Sequence, residues 1–253
     1  MKREYSYGSI ILLEIILGIV TIGLFFAFGK DNSDSILYSI ISSLITWFGS
    51  FLIASGLINN RKGSVGDYFN QIHRLDKKAI IVNLIIMALT ILITTFLGSG
   101  ASFFALKDDP KSFMSMGIVG SILTLLLAIF TTYSNHVVSD PRNKDQSITD
   151  AFKSVFAVGK KLFGKTILTY LLFVVLPLIV FVGISLLIAY ISKSFETIIG
   201  MTFIGMFIFG IFFVVISPII AARFADNYLD LTGDIEDPIK ENENNEFTIS
   251  RNV

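Results

Sequence analysis

Six long apolar runs constrain this chain more than any other feature: Ile10 to Phe28, Ile36 to Ile58, Ala79 to Leu97, Gly117 to Val138, Leu162 to Ile191 and Ile198 to Ala222. A run of about 18 or more apolar residues is long enough to cross a bilayer. In hydrocarbon every backbone amide and carbonyl must be satisfied within the segment, so each run is predicted to be a helix. Strands of a membrane barrel would alternate polar and apolar residues, and these runs do not. The expected fold class is therefore an all-α integral membrane protein of about six transmembrane helices. Composition agrees: only 16% of the 253 residues are charged, against roughly 25% in a soluble domain, and those charges are squeezed between the runs.

Lys2 and Arg3 precede the first run, as in a signal peptide, but its apolar stretch is too long for a signal core. The sole small-x-small candidate after it is Ala27-Phe28-Gly29. An uncleaved anchor is expected. Orientation follows from the basic residues. If the N-terminus, second loop, fourth loop and C-terminus share a side, that side holds sixteen of the 20 Lys and Arg, and Lys30, Lys107, Lys111 and Lys193 lie opposite. The basic side is expected to face the cytoplasm, giving a multi-pass protein of the cell membrane with both termini inside.

Net charge is zero, so no global field draws the chain to nucleic acid. The absence of cysteine excludes disulfides and thiolate chemistry, and two histidines make a His-built metal site improbable. No phosphate-cradling loop, nucleophile elbow or zincin helix is present. Asp31-Asn32-Ser33-Asp34 lacks the glycine and terminal Glu of a calcium loop. No catalytic residue, cofactor or metal is expected.

The two long basic loops resemble each other. Ser64 to Lys78 aligns without a gap on Ser147 to Lys161: Ser64, Asp67, Phe69, Lys77 and Lys78 meet Ser147, Asp150, Phe152, Lys160 and Lys161, and Val65, Ile72 and Leu75 meet Ile148, Val155 and Val158. Each segment opens with Ser-x-x-Asp, a capping-box-like helix start. Apolar residues then recur at helical spacing, with Asn70, Gln71, Arg74 and Lys77, or Lys153, Ser154, Lys160 and Lys161, opposite. Both are predicted to be amphipathic elbow helices in the membrane interface, with the lysine pairs 77-78 and 160-161 touching anionic headgroups at about 1 kcal/mol per charge. The predicted repeat is span, elbow, span, over about 36–97 and 117–190, within a transmembrane domain of 1–225. Residues 226–253 carry eight carboxylates against Lys240 and Arg251 and are expected to be a largely disordered acidic tail.

A parallel array of span-elbow-span units, with elbows of the form Ser-x-x-Asp-x-Phe followed by Lys-Lys, resembles a loose group of bacterial multi-pass families. These include the non-catalytic membrane domain of some glycerophosphodiester phosphodiesterases and related uncharacterised integral membrane proteins. The likeness covers roughly residues 36 to 222. It implies a fold layout and carries over no catalytic residue, since the phosphodiesterase's soluble domain has no counterpart in this sequence.

Few residues are candidates for a site. Glu14 is the one carboxylate well inside a run, and an ionisable group in a membrane raises a functional reading by default. The structural alternative is a shallow Glu14 that reaches the interface or pairs with Lys165. Asn135 and His136 end the polar string Thr131 to His136, which reads as a vestibule or as a helix leaving lipid. Small residues stripe the second run (Ser39, Ser42, Thr46, Ser50, Ala54) and the fourth (Gly117, Ser121, Thr124, Ala128), as close helix packing or a hydrophilic path would require. Pro177 and Pro218 are expected to kink their helices.

The sequence therefore points first to a non-enzymatic accessory, lipid-associated or self-protection factor. Its partners would be the bilayer with its anionic headgroups and either a membrane protein or a second copy. A transporter component working with a partner chain is the alternative, and an intramembrane enzyme the last. A midplane cavity facing Glu14 or the fourth-run polar residues would favour transport.

Overall fold

The computed structural model describes residues 3–28, 35–106, 110–191 and 195–235. The described chain is helical: α1 (Tyr7–Phe28), α2 (Ser35–Asn59), α3 (Val65–Phe69), α4 (Lys77–Leu106), α5 (Pro110–Thr131), α6 (Ser134–Ser139), α7 (Ile148–Tyr170), α8 (Leu176–Ile191) and α9 (Phe195–Thr232). Short 3₁₀ turns at Asn70–Arg74 and Pro141–Asn143 follow α3 and α6, and a π turn at Leu171–Val175 joins α7 to α8. Six helical segments are long and apolar enough to cross a membrane: Tyr7–Phe28, Tyr38–Asn59, Lys77–Thr95, Gly117–Ser139, Ile148–Ile188 and Phe203–Thr232. Their large side chains face outward. Phe207 is 71% exposed, and Ile19, Phe26, Leu92, Ile179 and Leu186 are also open. Apolar patches of that extent are not stable in water and require lipid around them.

The long helices pack as three pairs: α1 on α2, α4 on α5, and α8 on α9. Burial is concentrated at one end of the bundle. There Ile10 and Leu13 of α1 meet Phe51 to Ile58 of α2, Ala79 and Val82 of α4, Tyr133 to Val138, and Ala222 to Leu229 of α9. The helix α7 ties this closed end together. Ala151, Val155, Gly159, Leu162, Thr166 and Thr169 recur every three or four residues and form its buried face. Gly159 allows the approach: a Cβ there would lie 2.0 Å from the Phe130 carbonyl oxygen. Gly56 of α2 likewise leaves room for the Tyr68 ring, whose atoms a Cβ would meet at 2.5 Å.

Local signals set the helix starts. Ser64 accepts from the Asp67 amide while the Asp67 carboxylate accepts from the Ser64 amide, a reciprocal cap on α3. Asp76 accepts from the Ala79 amide at 2.7 Å and starts α4, and Ser147 accepts from the Asp150 amide at the start of α7. Beyond α3 the expected faces are exchanged. Gln71 is 5% exposed and accepts from the Ser55 hydroxyl at 3.0 Å, whereas Ile72 is 55% exposed. The chain tightens to a 3₁₀ turn at Asn70, so each residue advances about 120° instead of 100° and the polar residue turns inward.

The helical domain also ends later than residue 225. α9 continues to Thr232, because Asp226 and Asp230 at its end are paired with Arg3 and so are not free to repel one another. Residues 236–253, like Asp31 to Asp34, lie outside the described residues.

Candidate functional site

Glu14 lies two turns into α1, just after the buried Ile10 and Leu13, and so points into the bundle rather than toward the interface. Its carboxylate accepts a hydrogen bond from Ser217 Oγ at 2.6 Å. Ser217 precedes Pro218, which sits inside α9 and cannot donate to the preceding turn. The anticipated pairing with Lys165 does not occur, since Lys165 Nζ lies 3.8 Å from Asp230.

Asn135 and His136 reach the same place by a different device. α5 stops at Thr131, and Tyr133 takes φ −94° and ψ 10° before α6 begins, so the chain is redirected inward. Tyr133 is fully buried, with its hydroxyl 3.0 Å from Thr166 Oγ1. The residues from Ser134 to Ser139 are therefore mostly enclosed by protein, and the reading of a helix turning polar as it leaves lipid is corrected. His136 is 5% exposed, with its ring between those of Tyr133 and Tyr228 at centroid distances of 5.8 and 5.6 Å.

Glu14, Asn135 and His136 line one cavity of about 220 Å³. Ser50, Thr132 and Ser217 add hydroxyls, and Ile53, Ala54, Leu57, Ile220, Ala221 and Phe224 form the apolar walls. Both His136 ring nitrogens and Asn135 Oδ1 are buried without a hydrogen-bond partner in the chain. A buried polar atom left unpaired costs about 1–3 kcal/mol, and three such atoms belong to two residues that line the cavity.

Toward the closed end the cavity gives way to a polar layer. Tyr5 donates to Asp226 at 2.7 Å and Tyr228 to Asp140 at 2.8 Å. Arg142 grips Asp140 through Nε and a terminal nitrogen at 2.9 and 2.6 Å, and also donates to the Thr232 carbonyl at 2.8 Å. Burial pushes the Asp140 carboxyl up, but the bonds from Arg142 and Tyr228 outweigh it and hold the group below the usual carboxylate range. Burial first, and then the bond to Asp226, raises the Tyr5 phenol. Arg3 spans Asp226, Asp230 and Asp234 at 3.4, 2.9 and 2.7 Å.

Other expected features fall elsewhere. Lys77, Lys160 and Lys161 are exposed, but Lys78 is 7% exposed and donates to the carbonyls of Asn143 and Lys144, so it is not available to a headgroup. Of the second-run stripe, Ser50 and Ala54 line the cavity. The fourth-run stripe does not bury itself against a neighbour: Gly117, Ser121, Thr124 and Ala128 line an open groove of about 560 Å³ with Thr94 and Leu97 of α4. Beside Pro177 the helix takes a π turn, with the Leu176 amide bonding the Leu171 carbonyl.

Tyr5, Asp140, Arg142, Ser217 and Tyr228 were missed by pattern reasoning. The Ser217-Pro218 pair, a hydroxyl beside a helix-breaking residue inside an apolar run, was the signal that could have been used. Among the described residues no group of three or more His, Asp or Glu could hold a metal ion. No protein-family model, curated protein or solved structure matches the chain.

Proposed function

We propose that this chain is a non-enzymatic multi-pass membrane protein, an accessory, lipid-associated or self-protection factor, that holds the polar end of an amphiphilic molecule in the Glu14–Asn135–His136 cavity. The observation that carries this reading is the pairing, in one cavity, of unpartnered buried polar atoms with apolar walls. A polar ligand alone would leave those walls wet, and an apolar one would leave the polar atoms unpaired.

The protein sits in the cell membrane with its closed end and both termini on the cytoplasmic side. Arg61, Lys77, Arg142, Lys160 and Lys161 all belong to that end, which supports the orientation. The segments starting at Ser64 and Ser147 act as interfacial elbows of an internal repeat, with exposed Lys77, Lys160 and Lys161 toward anionic headgroups. Their like-built Ser–Asp starts support this.

A transporter component with a partner chain is the second reading. It is favoured by the break between α5 and α6 at Thr132–Tyr133 and by the proline inside α9, both beside the cavity, as broken helices flank transporter sites. It would require a route through the layer formed by Tyr5, Asp226, Tyr228 and Asp140.

Native mass spectrometry of protein extracted in mild detergent tests the first reading. Wild-type protein is expected to carry about one retained amphiphile, and Ala54→Phe, which fills the cavity, to lose it. Wild-type protein that retains none, and takes up none when lipid is added back, would overturn it. Transport of a labelled amphiphile across proteoliposomes would replace it with the second.

A further inference from the structure

The lining of this cavity selects among polar ends, an argument that rests on the amphiphile reading above. The lining is rich in acceptors. The Glu14 carboxylate receives one bond, from Ser217, and can take several more. Asn135 Oδ1 is a bare carbonyl oxygen, and one nitrogen of a neutral His136 ring is a bare acceptor. Two of the hydroxyls have already used their proton: Ser217 donates to Glu14, and Thr132 donates to the Ala128 carbonyl at 2.8 Å. Each is left facing the space with lone pairs only.

The other His136 nitrogen and the Asn135 amide group can donate, but neither carries a charge. Among the described residues no Lys or Arg lines the cavity. Arg3 is engaged with Asp226, Asp230 and Asp234, Arg142 with Asp140, and Lys165 with Asp230. A phosphate or carboxylate entering here would meet the Glu14 carboxylate, with only the uncharged N–H groups of Asn135 and His136 and no cation to offset its charge. A group with three N–H donors and one positive charge would bond the Glu14 carboxylate, Asn135 Oδ1 and the acceptor nitrogen of His136 together.

We infer that the cavity binds a primary ammonium group carried on an apolar body, with the body lying along Ile53, Leu57, Ile220 and Phe224. Two sources supply this chemistry: the ethanolamine head of an aminophospholipid, or a cationic amphiphile arriving from outside the cell.

The test uses the full-length protein in phosphatidylcholine nanodiscs, with empty discs as the blank. It titrates four probes of one chain length: dodecylammonium, dodecyltrimethylammonium, dodecanol and dodecanoate. Dodecylammonium is expected to bind at least tenfold more tightly than the other three, and Glu14→Gln to remove at least tenfold of its affinity. The headgroup comparison on wild-type protein holds even where the variant fails to fold. Equal binding of the quaternary ammonium, or tighter binding of the carboxylate, would overturn the inference. Equal binding of all four would overturn it while leaving the amphiphile reading standing, whereas no binding by any probe would remove both. Adding phosphatidylethanolamine to the discs is expected to weaken dodecylammonium binding if the lipid head is the natural ligand. Unchanged binding assigns the site to an external cationic amphiphile.

Discussion

The Ser217 hydroxyl donates to the Glu14 carboxylate at 2.6 Å, and the two residues are 203 positions apart in the chain. This contact joins α1 to α9 one residue before Pro218, and it holds the Glu14 carboxylate in place beside the cavity. Ser217→Ala should cost about 1–3 kcal/mol, because a buried acceptor loses its donor. The pair Glu14→Leu with Ser217→Ala removes both polar partners and should be less destabilised than Ser217→Ala alone. Thermal unfolding in detergent reads the difference, and a double variant weaker than either single one would contradict it.

Two glycines of α7 separate sterics from helix propensity. At Gly159 a Cβ would lie 2.0 Å from the Phe130 carbonyl oxygen, and backbone cannot swing aside. Gly159→Ala should therefore lose about 3 kcal/mol or more, or fail to assemble. At Gly164 an added Cβ meets nothing within 4 Å, so Gly164→Ala should gain up to about 1 kcal/mol. Melting temperatures of the two variants should move in opposite directions.

Acid should loosen the closed end through Asp140. Its carboxyl is held below the usual range, so its contribution is fully present above the ordinary Asp value near 3.9 and is lost as pH falls through the lower folded value. Asp140→Asn should flatten the dependence of melting temperature on pH below about 4 while lowering the melting temperature at neutral pH. A slope unchanged by the substitution would show that other carboxylates carry the acid response.

Arg3 acts as a clasp on the last turns of α9, with Asp226, Asp230 and Asp234 within reach of one guanidinium. Arg3→Ala should destabilise by about 1–3 kcal/mol, since charge-assisted bonds to a buried carboxylate are lost. The part carried by the more exposed Asp230 and Asp234 should shrink at high salt. Hydrogen exchange over residues 226–232 is the direct readout, with faster exchange expected in the variant. Unaltered protection would mean that packing of Tyr228 and Leu229 alone holds this end.

Much of the architecture was legible because lipid imposes simple rules. Runs such as Ile10 to Phe28 can only be helices, and Ser64 and Ser147 with an Asp three positions on can start helices through contacts within one turn. Less legible was whatever depended on a neighbour. The Lys77-Lys78 pair looked uniform, yet Lys78 alone turns inward to the Asn143 and Lys144 carbonyls. Gln71 and Ile72 exchanged faces because a short helix tightened at Asn70. The acidic residues from Asp226 onward read as a tail, but three of them are gathered around an arginine from the opposite end of the chain.

By itself the sequence determined the class of molecule, the helical spans and the residues worth suspecting, because hydropathy and capping act over a few neighbouring positions. Only the tertiary structure decided that Glu14, Asn135 and His136 share one cavity. Their proximity comes from the break at Tyr133 and the packing of α9 against α1 and α2. Those contacts link residues up to about 200 positions apart, a distance over which no local pattern carries information.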